Sequence, residues 1–68
     1  MAYHVIISDD LGDHEYKHTQ RIIAMRQYKT YCNKPETISV TVIHRTRKLD
    51  DVIAAWDNPF SHRNITNS

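Results

Sequence analysis

Leu49-Asp50-Asp51-Val52-Ile53-Ala54-Ala55-Trp56-Asp57 can be read two ways, and the architecture turns on the choice. Leu49, Val52, Ile53 and Trp56 stand at i, i+3, i+4 and i+7, the spacing of one helix face, and Ala54-Ala55 also favours a helix. Asn58-Pro59 would end it. Alternatively, residues 52–57 form a strand with Val52, Ala54 and Trp56 on one face. That strand would pair back on residues 37–45 across the polar turn Arg47-Lys48-Leu49-Asp50-Asp51. The strand is preferred, because a two-stranded sheet is marginal alone and a third strand gives a helix something to lie on.

The partner segment 37–45 is the clearest strand in the chain. Ile38, Val40 and Val42 alternate with Ser39, Thr41 and Ile43, nearly all β-branched. Ile38, Val40 and Val42 should face a helix, and Ser39, Thr41, Ile43 and Arg45 the other side. Residues 2–8 alternate in the same way, with Tyr3, Val5 and Ile7 against His4, Ile6 and Ser8. Asp9-Asp10-Leu11-Gly12-Asp13 breaks that strand and offers helix caps. From residue 14 to 33 there is no Gly or Pro, which predicts one long helix ended by Asn33-Lys34-Pro35. On it, Tyr16, Ile23, Ala24, Met25, Tyr28, Tyr31 and Cys32 share one arc, while His18, Arg26, Lys29, Thr30 and Asn33 lie opposite. Ile22 falls among the polar residues.

The predicted fold is therefore α+β: a single small domain over 1–68, one long helix packed on a short antiparallel sheet in the order β-α-β-β. The alternative is β-α-β-α with 48–57 helical. The ordered core should span about 2–58, with 59–68 a flexible tail. At 68 residues the core is thin, since a chain of this size buries only about 60% of its unfolded surface. One cysteine excludes an internal disulfide and a Cys-rich zinc cage. No apolar run approaches the roughly 18 residues of a membrane span. Met1-Ala2-Tyr3-His4 lacks the basic start of a signal peptide, so the cytoplasm is the expected compartment.

The formal net charge of +1 conceals segregation. Residues 1–16 carry four acids and no Lys or Arg. Residues 17–48 carry eight Lys or Arg against Glu36 alone. Residues 49–68 carry three Asp against Arg63. A strongly basic middle suits an anionic partner, either an acidic protein face or nucleic-acid phosphate. The strand 37–45 offers no aromatic stacking platform of the kind single-stranded nucleic acid uses. Ile22 ringed by basic residues, and Ile43 beside Arg45, resemble the apolar centre of a protein interface.

His14-Glu15-Tyr16-Lys17-His18 matches H-E-x-x-H. On a helix the two His would share a face and bind zinc while Glu15 activated a water. His4, His44 or His62 could supply a third ligand. Zincin helices lie in apolar surroundings, whereas this string is polar and sits in a chain too short for a substrate cleft. His14 and His18 are therefore weak metal candidates, and a polar turn complementing a helix dipole is the simpler account.

These observations predict a non-catalytic binding protein with no cofactor. It would inhibit or modulate a macromolecular partner by occluding it, as compact chains encoded by viruses and mobile elements do to host machinery. The residues expected to bind are Ile22, Arg26 and Lys29 on the helix, and Ile43, Arg45, Arg47 and Lys48 on the strand and turn. The partner would be a protein or a protein–nucleic acid complex, with no membrane involved. Direct nucleic-acid binding by the basic middle is the first alternative, zinc chemistry through His14 and His18 the second. The outward strand face could also serve a homodimer.

Overall fold

The computed structural model of the chain describes residues 1–59. The elements are β1 (Ala2–Asp9), β2 (Gly12–His18), α1 (Arg21–Cys32), β3 (Thr37–Arg45) and β4 (Asp50–Asp57). The strands form one antiparallel sheet in the order β2-β1-β3-β4. The class is α+β, with one helix on an antiparallel sheet, and residues 50–57 are a strand. The expected flexible tail lies outside the described residues, apart from Pro59.

The core is the face of the sheet under α1. Val5, Ile7, Val40 and Val42 are fully buried there against Ala24, with Tyr3, Met25, Tyr28, Tyr31, Cys32, Ile53, Ala54 and Trp56 packed around them. Val40 and Val42 are the helix-facing positions expected of β3, and in β1 the face that turns inward is the one shared by Tyr3, Val5 and Ile7. Ile38 belongs to the same set but is the second residue of β3, at the start of the strand, and stays partly exposed.

The helix-like spacing of β4 has a structural cause. Ala54 pairs with Val42 and Val52 with Ile43, so Ile53 is an extra residue in the ladder. A bulge of this kind turns two successive side chains to one side. Ile53 and Ala54 both pack on the core, and so does Trp56, two residues past Ala54. Ile53 and Trp56 thus share a face at i, i+3 without a helix. Leu49 and Val52, which completed the helical stripe, remain exposed.

Residues 12–18 depart from the sequence expectation. They form a strand paired to β1 from Asp9↔Gly12 to Tyr3↔His18 and not the first turns of a helix. Asp10 and Leu11 form the hairpin loop, with the Leu11 amide donating to Asp9 Oδ1 at 2.9 Å. Gly12 follows at φ +129, a backbone conformation that other residues rarely adopt. As a helix, 14–18 would have buried one apolar side chain, Tyr16. As a strand it pairs the edge of β1, whose Val5 and Ile7 anchor the core, and it still brings Tyr16 against Tyr31.

The helix is correspondingly shorter. Gln20 at its N-cap makes no side-chain cap bond and no acid stands in the first turn, while Lys29 complements its C-terminal end. Its stability therefore comes from packing over β1 and β3 and not from capping.

One buried polar atom is a weak point. Thr37 is buried at the start of β3, and among the described residues its Oγ1 has no hydrogen-bond partner. Thr37→Val keeps the shape and removes the stranded hydroxyl. It should raise stability in urea denaturation by about 1 kcal/mol, and a loss of stability would show that the hydroxyl is satisfied.

Candidate functional site: the basic end of the sheet

Antiparallel pairing gathers distant parts of the sequence at the two ends of the sheet. One end holds the start of β1, the end of β2, the first turn of α1, the end of β3 and the start of β4. It collects the Met1 amino group, Lys17, Arg21, Arg45, Arg47 and Lys48 against Asp50 and Asp51. The other end collects Asp9, Asp10, Asp13, Glu36 and Asp57 against Lys34. The segregation along the sequence thus becomes polarity along the strands.

The β3–β4 turn that carries Arg47 and Lys48 is braced at its base. The Thr46 amide donates to the Leu49 carbonyl at 3.0 Å, the Thr46 hydroxyl donates to the same oxygen at 2.9 Å, and the Leu49 amide donates back to Thr46 Oγ1 at 3.2 Å. Just inside, Arg45 Nε donates to Asp50 Oδ1 at 3.1 Å. Arg47 and Lys48 therefore project from a fixed tip. Beside them Met1 is 91% and Leu49 54% exposed. Met1, Thr46, Arg47, Lys48, Leu49 and Asp51 line a hollow at this end. Cations around exposed apolar side chains make a surface suited to an anionic partner with some apolar area of its own.

The expected binding residues do not form one surface. Arg45, Arg47 and Lys48 lie at the basic end. Ile43 lies on the sheet face opposite α1, half-buried between His4 and Val52 in the register. Ile22, Arg26 and Lys29 lie together on the outer side of α1, with Ile22 65% exposed and Met25 beside them. One flat partner could not cover both the outside of the helix and the opposite face of the sheet. Sequence reading missed Lys17 and the Met1 amino group as members of the basic end. The signal was the Asp10-Leu11 loop ahead of Gly12, which turns the chain into a hairpin.

The H-E-x-x-H string is not a metal site of the zinc-protease kind. It lies on β2, where four residues span roughly 13 Å, so His14 and His18 cannot share an ion. Glu15, one residue from His14, points to the other face of the sheet. Each side chain is engaged separately: His14 Nε2 with Asp9 Oδ2 at 3.3 Å, Glu15 Oε2 with His4 Nδ1 at 2.7 Å, and His18 Nε2 with Gln27 Oε1 at 2.5 Å. Among the described residues no group of three or more His, Cys, Asp or Glu is arranged to hold a metal. His62, one of the proposed third ligands, lies outside them.

Cys32 stands at the end of α1, half-buried near Trp56. Burial pushes its thiol pKa up, with the Tyr28 hydroxyl bond pulling the other way, so the thiolate is disfavoured. Tyr16 is also raised, chiefly by its hydrogen bond with Tyr31. No helix among the described residues is long and apolar enough to cross a membrane.

Comparison of the chain with protein-family models, with curated proteins and with solved structures finds no match.

Proposed function

We propose that this chain is a non-catalytic binding protein that inhibits or modulates a protein partner by covering an acidic surface with the basic end of its sheet. The observation that carries the proposal is the gathering of Lys17, Arg45, Arg47, Lys48 and the amino terminus around exposed Met1 and Leu49. The cations steer encounter and set orientation, while the apolar side chains supply contact that survives salt. A protein is favoured over nucleic acid because the described aromatics are committed elsewhere. Tyr3 stacks on His44 at 4.5 Å between centroids, Tyr16 meets Tyr31, and Tyr28 and Trp56 pack on the core.

The test compares three immobilised baits in a cell lysate: the native chain, Arg47→Glu/Lys48→Glu at the basic end, and Ile22→Glu/Arg26→Glu on the helix. The proposal expects one protein to be captured by the native and helix variants and lost with the end variant. Capture lost only with the helix variant would overturn it. So would a captured nucleic acid released steeply between low and moderate salt, the mark of counterion release from phosphates.

A further inference from the structure

The sheet face opposite α1 carries no covering element among the described residues. The register sorts its side chains into four rows, each running from β2 to β4. They are Asp13-Ser8-Ser39-Asp57, Glu15-Ile6-Thr41-Ala55, Lys17-His4-Ile43-Val52, and Ala2-Arg45-Asp50 at the basic end, where β2 has no paired residue. The two middle rows are the apolar part. Ile6, Thr41 and Ile43 are half-buried, Val52 is exposed, and His4 is held by Glu15.

This pattern is self-complementary under one symmetry operation. Sheets that pack face to face keep their strands roughly aligned. A two-fold axis lying between two copies and running across the strands reverses strand direction and places β2 over β2. The second row of one copy then lies over the third row of the other. Glu15 meets Lys17 of the second copy twice, Thr41 meets Ile43, and Ala55 meets Val52. Asp57 comes near Asp50, whose charge is already met by Arg45 at 3.1 Å. The other two-fold axis, along the strands, would set Asp13 against Asp57 and gains no ion pair. Lys17 is exposed and has no ion-pair partner within the chain among the described residues, so the Glu15 contact is open to it.

We propose that this face is the contact surface of a homodimer whose two sheets stack with strands reversed, bringing Glu15 of each copy to Lys17 of the other. The contact shares Lys17 and the Arg45 row with the basic end, but Arg47 and Lys48 stay outside it, so loss of the dimer with Glu15→Lys and loss of partner capture with Arg47→Glu/Lys48→Glu are separate outcomes. Four strands about 4.8 Å apart and eight residues long offer roughly 500 Å² per copy. The pair therefore sits at the small end of specific interfaces, and the dimer should be a weak one.

Sedimentation of the full-length chain over a concentration series is the test. The weight-average mass should climb from 8.0 kDa toward twice that value as the concentration reaches about 100 µM, the range of a weak complex. Glu15→Lys should shift the midpoint upward at least tenfold with the circular dichroism spectrum unchanged. Glu15→Lys/Lys17→Glu should restore it, because the reversed pair meets again across the axis, while the lost His4 contact is the same in both variants. A monomer at every concentration would overturn the proposal and leave the face to residues 60–68 or a foreign partner. A dimer indifferent to Glu15→Lys, or not restored by the swap, would overturn it equally.

Discussion

Ile7→Ala should destabilise the domain by about 3 kcal/mol, the largest effect expected of any single core truncation here. Ile7 is the largest fully buried side chain and packs in one cluster with Val5, Ala24, Val40 and Val42. Truncating a buried Ile to Ala costs about 2–5 kcal/mol through lost transfer energy and the cavity left behind. A single core in a chain this small rarely supplies more than about 3–5 kcal/mol. The variant should therefore be largely unfolded at physiological temperature, read as collapse of the urea midpoint in circular dichroism. Ile22→Ala, at an exposed helix position, should stay within about 0.5 kcal/mol of the parent. Equal costs at the two positions would mean that the helix is docked by a different face.

Arg47→Glu/Lys48→Glu should weaken binding to an acidic polypeptide about 30-fold while leaving the fold unchanged. Both side chains are exposed at the tip of the Thr46-Leu49 turn, whose bracing hydrogen bonds involve neither of them. A charge at such a rim contributes up to about 1 kcal/mol, so the pair together is worth about 2 kcal/mol, or a factor near 30. Arg45 is left in place because its bond to Asp50 holds the start of β4. A fluorescent poly-glutamate peptide followed by anisotropy reads the change. Undiminished affinity would remove the turn from the site.

Much of the fold is legible in the sequence because period-two alternation survives in the two central strands. Val40 and Val42 are assigned inward by pattern alone, and Val5 and Ile7 are grouped on one face of β1; together they are the buried core. The edges are harder to read. β2 carries one apolar inward residue, Tyr16, so a strand there leaves no hydrophobic signature, and its identity rests on β1 needing a partner along its whole length. In β4 the bulge at Ile53 gives a strand the spacing of a helix, and pairing with β3 decides the outcome. The site is half legible for a related reason. Arg45, Arg47 and Lys48 are close in sequence and stand out as a cluster. Lys17 and Met1 join them only because antiparallel strands return to the same end of the sheet. The same geometry sends Lys34 to the acidic end and leaves Arg26 and Lys29 on the outside of the helix.

The central claim, that the basic end of the sheet is the binding surface, is tested most directly by amide chemical-shift mapping of the isotopically labelled chain titrated with poly-glutamate. The account predicts shifts concentrated at Ala2, Lys17, Thr46, Arg47, Lys48 and Leu49, with the acidic end around Asp9 and Asp13 silent. Shifts centred on Ile22, Arg26 and Lys29, with the β3–β4 turn unmoved, would contradict it.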